Sequence, residues 1–285
     1  MNQWMNLREE RDFGEKFNAT FLFARQNFKN LGIILLLLGT PLLIAGNLFL
    51  AYFQVGVQTE VANFGKLSSG IWGFYILSIF VYLIAYTWLM TVTLVYMTEY
   101  AEGNREITLA RVFSRASGKL GKLIGANLLI TFIIAIASLL LLIPGIYLSV
   151  AFALIPAIIV IEDDPVFEAI SRSISLVKTK WWSTFGLIIV MSVVAGMMQM
   201  VFTIPNIIYS VTKALHAQLA TFDTLSVIFQ VLASIGTALL YPLVFIAIAF
   251  QYFNLVERKE SEGLKQQIMM AGKQVETTAK NEGEY

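Results

Sequence analysis

Long runs of apolar residues alternate with short polar segments along the 285-residue chain. A helix that crosses the hydrocarbon core of a bilayer needs about 20 such residues. The runs predict six spans, at about 31–53, 71–98, 122–143, 146–161, 184–204 and 225–256. The predicted fold class is therefore all-α, a polytopic helical membrane protein. A polar segment, 1–30, precedes the six-span domain 31–256, and a polar tail, 257–285, follows it.

The third and fourth runs are separated by Pro144-Gly145, which breaks the helical pattern because proline cannot continue a helix and glycine permits a sharp turn. The fourth run is short and contains Pro156. We interpret Lys122–Ile161 as a tight hairpin of two spans. The alternative is one long bent span followed by a re-entrant piece.

Similar segments precede spans 1, 3 and 5, at residues 13–31, 107–123 and 165–182. Each combines aromatic and aliphatic residues at helical spacing with Arg or Lys. Such segments predict amphipathic helices that lie in the membrane interface, with the basic residues near anionic headgroups. The chain would then consist of three units, each an interfacial helix followed by two spans. The alternative is that any cytoplasmic loop beside a membrane is basic and amphipathic.

Basic residues are distributed very unevenly between the two sides of this predicted topology. Of the 20 Lys and Arg residues, 18 fall in segments that face the cytoplasm if the N-terminus does. This matches the positive-inside rule and predicts a multi-pass protein of the cytoplasmic (inner) membrane with both termini in the cytoplasm. The first apolar run begins only at Leu31, so we expect the N-terminal segment to be retained. The outer segment 205–224 has helical spacing and is expected to lie on the outer surface.

The composition of the chain argues mainly against several classes of function. The chain is 57% hydrophobic and 14% charged with a net charge of +1, so it does not resemble a nucleic-acid binder. It has no cysteine and one histidine, His216, so we expect no catalytic set, no cofactor and no metal site. Asp164 before Pro165 predicts a helix cap, with cation binding by Glu162, Asp163 and Asp164 as the alternative.

Polar residues within the spans are few and uncharged. We expect them to hydrogen-bond from helix to helix. They are Asn47, Asn127, Gln199, Gln230 and Gln251.

Two parts of the sequence resemble a known family. The first set of matching residues is Gly14, Glu15, Phe21, Arg25, Asn27 and Phe28. The second is Pro144, Gly145, Tyr147, Leu148, Pro156, Glu162, Ala169, Arg172, Ser173 and Trp182. Together they resemble the six-span bacterial family that includes the membrane domain attached to some glycerophosphodiester phosphodiesterases, a family largely of unknown function. The phosphodiesterase activity belongs to a separate barrel domain that has no counterpart here, so the resemblance implies the fold and not the activity.

The leading hypothesis is a non-enzymatic scaffold or partner subunit of a membrane complex. Its expected partners are membrane lipids and another membrane protein or a second copy of this chain. The alternative is a transporter or lipid-handling protein. A third hypothesis, an enzyme acting on lipid headgroups, requires acidic residues to converge with Arg25 or Arg172; these are Glu99, Glu162, Asp163 and Asp164. The residues expected to contact lipid and to orient the protein are Arg25, Arg172, Trp181 and Trp182.

Overall fold

The computed structural model describes residues 5–62, 69–104, 106–215 and 224–260, and these are almost entirely helical. The helices are α1 Phe13–Ala62, α2 Ser69–Ala101, α3 Leu109–Leu140, α4 Leu142–Ala151, α5 Ile155–Ile161, α6 Val166–Val177, α7 Trp181–Leu215, α8 Thr224–Leu240 and α9 Pro242–Glu260, with a 3-10 turn at Lys178–Lys180 between α6 and α7. Within these described ranges, six helical units are long and apolar enough to cross a membrane, which confirms the predicted number.

The core lies where the return halves of three hairpins meet. Residues 91–100 of α2, all of α5 except its last residue, and nearly all of α9 up to Val256 are buried. We call these three segments the inner helices. They pack against one another, and the close packing of their aliphatic and aromatic side chains holds this core together.

Three other helices, α1, α3 and α6, surround the inner helices in a threefold order. We call them the outer helices because of this position around the core. Helix α1 packs against α2 and α9, α3 packs against α2 and α5, and α6 packs against α5 and α9. Each outer helix therefore lies between two inner ones. This packing has the three-unit order that the sequence indicates.

The segments predicted to be interfacial helices are not all separate elements. Helix α1 runs without a break from Phe13 to Ala62, and α3 runs without a break from Leu109 to Leu140. Nothing in the first turns of either helix interrupts the hydrogen-bond ladder, so each segment continues into the apolar run. The third segment alone forms its own helix, α6, before the 3-10 turn. Whether these segments lie in a membrane interface stays a prediction.

The turn between α3 and α4 lies earlier in the chain than predicted. Leu141 is extended, with φ −155° and ψ 133°, and it separates the two helices. Pro144 falls in the first turn of α4, where proline needs no hydrogen-bond donor. A side chain at Gly145 would collide with Ser138, so glycine here permits close packing of α4 on α3. The predicted break at Pro144-Gly145 was therefore wrong by three residues.

Proline positions explain two further interruptions. The fourth run divides at 152–154, and Pro156 lies at the start of α5. The sixth run divides at Tyr241, and Pro242 begins α9. Pro205 instead lies inside α7, which continues to Leu215. The outer surface helix predicted from residue 205 is thus the end of α7 in its described part, and the remainder, with His216 and the tail from 261, lies outside the described residues.

Hydrogen bonds between different helices confirm the prediction for Asn47, Asn127, Gln199 and Gln251, whereas Gln230 Oε1 is buried without a hydrogen-bond partner in the described part of the chain. Asn47 donates to Ser234 at 2.7 Å and joins α1 to α8, and Asn127 donates to Thr87 at 2.9 Å and joins α3 to α2. Gln199 donates to Thr237 at 2.9 Å between α7 and α8. In lipid, such bonds replace the water that these groups would otherwise bind.

Candidate functional site at the charged ends of the inner helices

A buried carboxylate lies at the end of the α2 inner helix. Glu99 is fully buried, and its oxygens contact Arg111 Nε at 2.7 Å and Arg115 Nη1 at 2.5 Å. Asn104 donates a third contact at 2.7 Å. A buried carboxylate is stable only when its charge is matched in this way. The cluster therefore fixes the end of α2 to the first turns of α3.

Arg115 also binds a second carboxylate, that of Glu102. Its guanidinium donates to both oxygens of Glu102, at 2.8 and 2.9 Å. These bonds from Arg115 hold the pKa of Glu102 below its ordinary value. Glu102 is partly exposed, so water weakens the Coulomb part of this contact.

The α5 inner helix ends in a comparable cluster. Glu162 forms an ion pair with Arg172 of α6 and accepts a 2.5 Å hydrogen bond from Tyr252 Oη of α9. Arg172 also binds both oxygens of Glu260, at 2.8 and 3.2 Å. These residues and Arg8 line a cleft of about 240 Å³. The cluster joins α5, α6 and α9 at one point.

Asp163 continues the connection toward α3. It has a positive φ of 63°, a conformation that aspartate tolerates better than most residues. Lys119 Nζ lies 2.9 Å from its carboxylate, and Lys122 Nζ donates to its backbone carbonyl at 2.9 Å. The hydrogen bond from Lys119 lowers the pKa of Asp163.

The predicted helix cap at Asp164 was wrong. Pro165 occupies the N-cap position of α6, and no side chain bonds to the first turn. Glu162 and Asp163 instead bind basic side chains of neighbouring helices. The acidic turn therefore serves tertiary packing in the described structure.

Two of the three units share the same pairing of acid and base. In each, a glutamate at the end of an inner helix binds an arginine in the next outer helix. Glu99 binds Arg115, and Glu162 binds Arg172. Each arginine follows a serine, Ser114 or Ser171. This Ser-Arg repeat is the sequence signal for the Glu99 cluster, which our sequence analysis missed. For the third hypothesis, Glu162 does meet Arg172, whereas Glu99 meets Arg111 and Arg115 in place of Arg25 or Arg172.

A buried lysine lies where α1, α7 and α9 meet. Lys16 is 3% exposed. Its Nζ contacts Gln251 Oε1 at 2.7 Å and Ser183 Oγ at 3.1 Å. Gln251 in turn donates to Thr184 at 2.8 Å. Uncharged oxygens thus solvate this ammonium group within the described part of the chain.

An aromatic stack lies at the start of α7. The ring of Trp181 is nearly parallel to those of Tyr147 and Phe185, with centroids 5.7 and 5.2 Å apart. Trp182 meets Trp181 edge to face at 4.8 Å and is 78% exposed. The stack borders a cleft of about 640 Å³, which we call the Trp181 cleft. Its lining is Ile143, Ile146, Tyr147, Lys178, Thr179, Lys180, Trp181, Trp182, Ser183 and Phe185.

The four residues expected to contact lipid are spread over the molecule. Arg25 is exposed on α1, with no ion pair to it found in the described ranges. Arg172 lies in the Glu162 cluster, where its charge is already matched. Trp181 and Trp182 share one cleft. Lipid contact by these residues stays a prediction, and it has most geometric support at the two tryptophans.

Within residues 5–62, 69–104, 106–215 and 224–260, no three His, Cys, Asp or Glu side chains lie together in a group that could hold a metal ion. The expectation of no metal, no cofactor and no catalytic set stays a prediction.

Comparison with known proteins adds one positive finding. Searches among curated proteins and among solved structures find no match. A family model described as "Domain of unknown function (DUF7847)" matches residues 24–255, which include all or part of every helix in the described structure. The resemblance to the phosphodiesterase membrane domain remains a prediction. The chain therefore belongs to the DUF7847 family, a family of unknown function.

Proposed function

We propose that this chain is a non-enzymatic protein of the cytoplasmic membrane that acts as a scaffold or partner subunit. Its termini and its charged clusters would lie on the cytoplasmic side, as the distribution of Lys and Arg favours. The observation that carries the proposal is the outward face of α3. This face carries exposed glycines and exposed apolar side chains, which is typical of a surface against which another helix packs.

Three glycines of α3 form an open stripe. Gly118, Gly121 and Gly125 are exposed, and a Cβ atom at any of them would meet nothing within 4 Å. Their spacing of three and four residues places them on one helical face. Small residues on one face let another helix approach closely, and close approach is a main source of helix association in membranes. Gly125 lies inside the third predicted span, and Gly118 and Gly121 immediately precede it.

The stripe continues toward the other end of α3 with large apolar residues. Leu128, Phe132 and Ile136 follow at the same spacing and are all exposed. The opposite face of α3 holds buried Val112 and Ala116 against the core. A partner helix on the open face would therefore leave the internal packing of this chain unchanged.

Transport has less support from the packing. Side chains of the inner helices fill the space between them, as with Tyr96, Ile158 and Phe250, each almost fully buried. The two clefts that border the charged and aromatic clusters lie at the margins of this core. A scaffold role requires no path through the centre.

The experiment is extraction from the native membrane in mild detergent, followed by mass spectrometry of everything that co-purifies. We expect a stable partner protein, or a second copy of the chain. Gly121→Leu should abolish the association, because its side chain would fill the open stripe. Leucine is the better helix former, so this change should not unfold α3.

Gly73→Leu is the matched control, since Gly73 of α2 is also exposed with nothing within 4 Å. It should leave the association unchanged. Repeated recovery of the chain alone, without a protein partner or a second copy, would remove the proposal. Equal loss of association in both variants would move the contact away from α3.

A further inference from the structure

The Trp181 cleft combines an apolar, aromatic wall with a positively charged rim. Few ligands match both features. Its walls are apolar and aromatic, from Ile143, Tyr147 and Phe185, among others. Its rim carries Lys178 and Lys180. No carboxylate is among the described residues that line it, so the cleft is positive as well as apolar.

Neighbouring charges strengthen the positive potential. Lys16 lies close enough to Lys180 for the two like charges to interact. No ion pair to Lys178 or Lys180 is found in the described part of the chain, in contrast to Lys119, which binds Asp163. The rim therefore favours an anion over a neutral or cationic group.

The aromatic stack gives the cleft a fixed wall. Trp181 is held between Tyr147 and Phe185, and its Nε1 donates to the Tyr147 carbonyl at 3.2 Å. The volume, about 640 Å³, is in the range of sites that bind small ligands. A wall with its own internal contacts can receive a ligand without first rearranging.

The cleft opens onto an apolar surface. Ile143 and Trp182 at its edge are 79% and 78% exposed, and the neighbouring Leu139 is 88% exposed. A ligand whose head is held at the rim can extend its apolar part along this surface and into the bilayer. A compact anion such as free phosphate would use the rim alone.

We infer that the Trp181 cleft binds one anionic phospholipid of the cytoplasmic leaflet, with its phosphate at Lys178 and Lys180 and the start of an acyl chain beside Trp182 and Ile143. The inference goes beyond the scaffold role, since it concerns a different face of the molecule. Lysine side chains near a membrane surface attract anionic headgroups, and tryptophan presents an apolar ring to acyl chains.

The test is native mass spectrometry of the delipidated, purified chain titrated with phosphatidylglycerol or with phosphatidylcholine of the same chain length. Phosphatidylglycerol should bind with one preferred site and higher affinity. Lys178→Gln with Lys180→Gln should weaken that site about 30-fold, from roughly fivefold for each lysine near a lipid surface. Trp182→Ala should also weaken it, whereas inorganic phosphate should compete poorly.

Two controls keep the test specific. Lys273→Gln with Lys280→Gln makes the same change in net charge in the C-terminal tail and should leave the affinity unchanged. Trp72→Ala removes an exposed tryptophan from α2 and should do the same. Equal affinity for the two lipids, or equal loss in the tail variant, would overturn the inference. Full competition by inorganic phosphate would identify an anion site without a lipid.

Discussion

The indole Nε1 of Trp181 donates a hydrogen bond to the backbone carbonyl of Tyr147, 3.2 Å away, and the two rings lie nearly parallel. The charge pattern assigns Trp181 to the cytoplasmic interface and the nearby Pro144-Gly145 to the outer side. A full span would separate these positions by about 30 Å. The two assignments therefore cannot both hold. The contact therefore argues against a hairpin of two full spans at Lys122–Ile161.

Thiol labelling tests this placement, because the chain has no cysteine of its own. We expect a Leu142→Cys variant to react with a membrane-impermeant maleimide from the same side as Lys178→Cys. Leu142 is 69% exposed, so no other part of the described protein shields it from the label. Lys66→Cys, in the predicted outer segment, serves as the marker for the opposite side. Labelling of Leu142→Cys together with Lys66→Cys would restore the hairpin of two full spans.

The Glu99 cluster should carry much of the stability of the α2–α3 connection. Glu99→Gln removes the charge that Arg111 and Arg115 neutralise in a buried position. We expect a loss of about 2 kcal/mol in the free energy of unfolding, less than for a wholly buried pair because both arginines reach water. Denaturant unfolding in detergent micelles measures it. Glu102→Gln, at a partly exposed site, should cost only about 0.5 kcal/mol, and equal losses would contradict the assignment.

Stability should fall in acid through Asp163 and Glu102. Both carboxylates have a pKa below the ordinary values of 3.8 and 4.5, because Lys119 and Arg115 hydrogen-bond to them. Their contribution is complete above those ordinary values and is lost as the pH falls through the lower folded-state values. Unfolding midpoints measured from neutral pH downwards should show the loss. In Asp163→Asn the decline should be shallower, and an unchanged profile would exclude a role for this residue.

Close packing of α7 on α8 depends on Gly236. A Cβ atom there would lie 2.5 Å from Phe202 Cγ, a distance that requires the ring to move. We expect Gly236→Ala to destabilise the protein by about 2 kcal/mol through overpacking. Gly196→Ala is the control within α7, since a Cβ atom there has open space. It should be neutral or stabilising by up to about 1 kcal/mol in the same unfolding measurement.

The pairing of Lys16 with Gln251 is suited to a double-mutant cycle. Gln251→Leu leaves a buried ammonium with only Ser183 as its described partner, so we expect a loss of about 2 kcal/mol. Lys16→Met should cost less, because the methionine stem fills the same space without a charge. The double variant should lose about 1 kcal/mol less unfolding free energy than the two single variants lose together. Additive losses would mean that the two side chains do not depend on each other.

Hydropathy was sufficient to predict the all-helical class and the six apolar units, because about 20 consecutive apolar residues have few other stable environments. It also identified the polar residues that join helices, such as Asn47 and Gln199. Helix boundaries were predicted less well. Leu141 ends α3 three residues before the expected break, and Pro205 interrupts nothing. Proline acts according to its position within a turn, and hydropathy does not report that position.

The local order of apolar and basic residues thus determined which segments are helices and suggested that they repeat in three units. Only the tertiary structure decided which charges meet. Glu99 and Arg115 are 16 residues apart, and Arg172 and Glu260 are 88 apart. Their pairing depends on the angles at which α2, α3, α6 and α9 cross. Those angles follow from side-chain packing among all the helices at once, which a reading of consecutive residues does not contain.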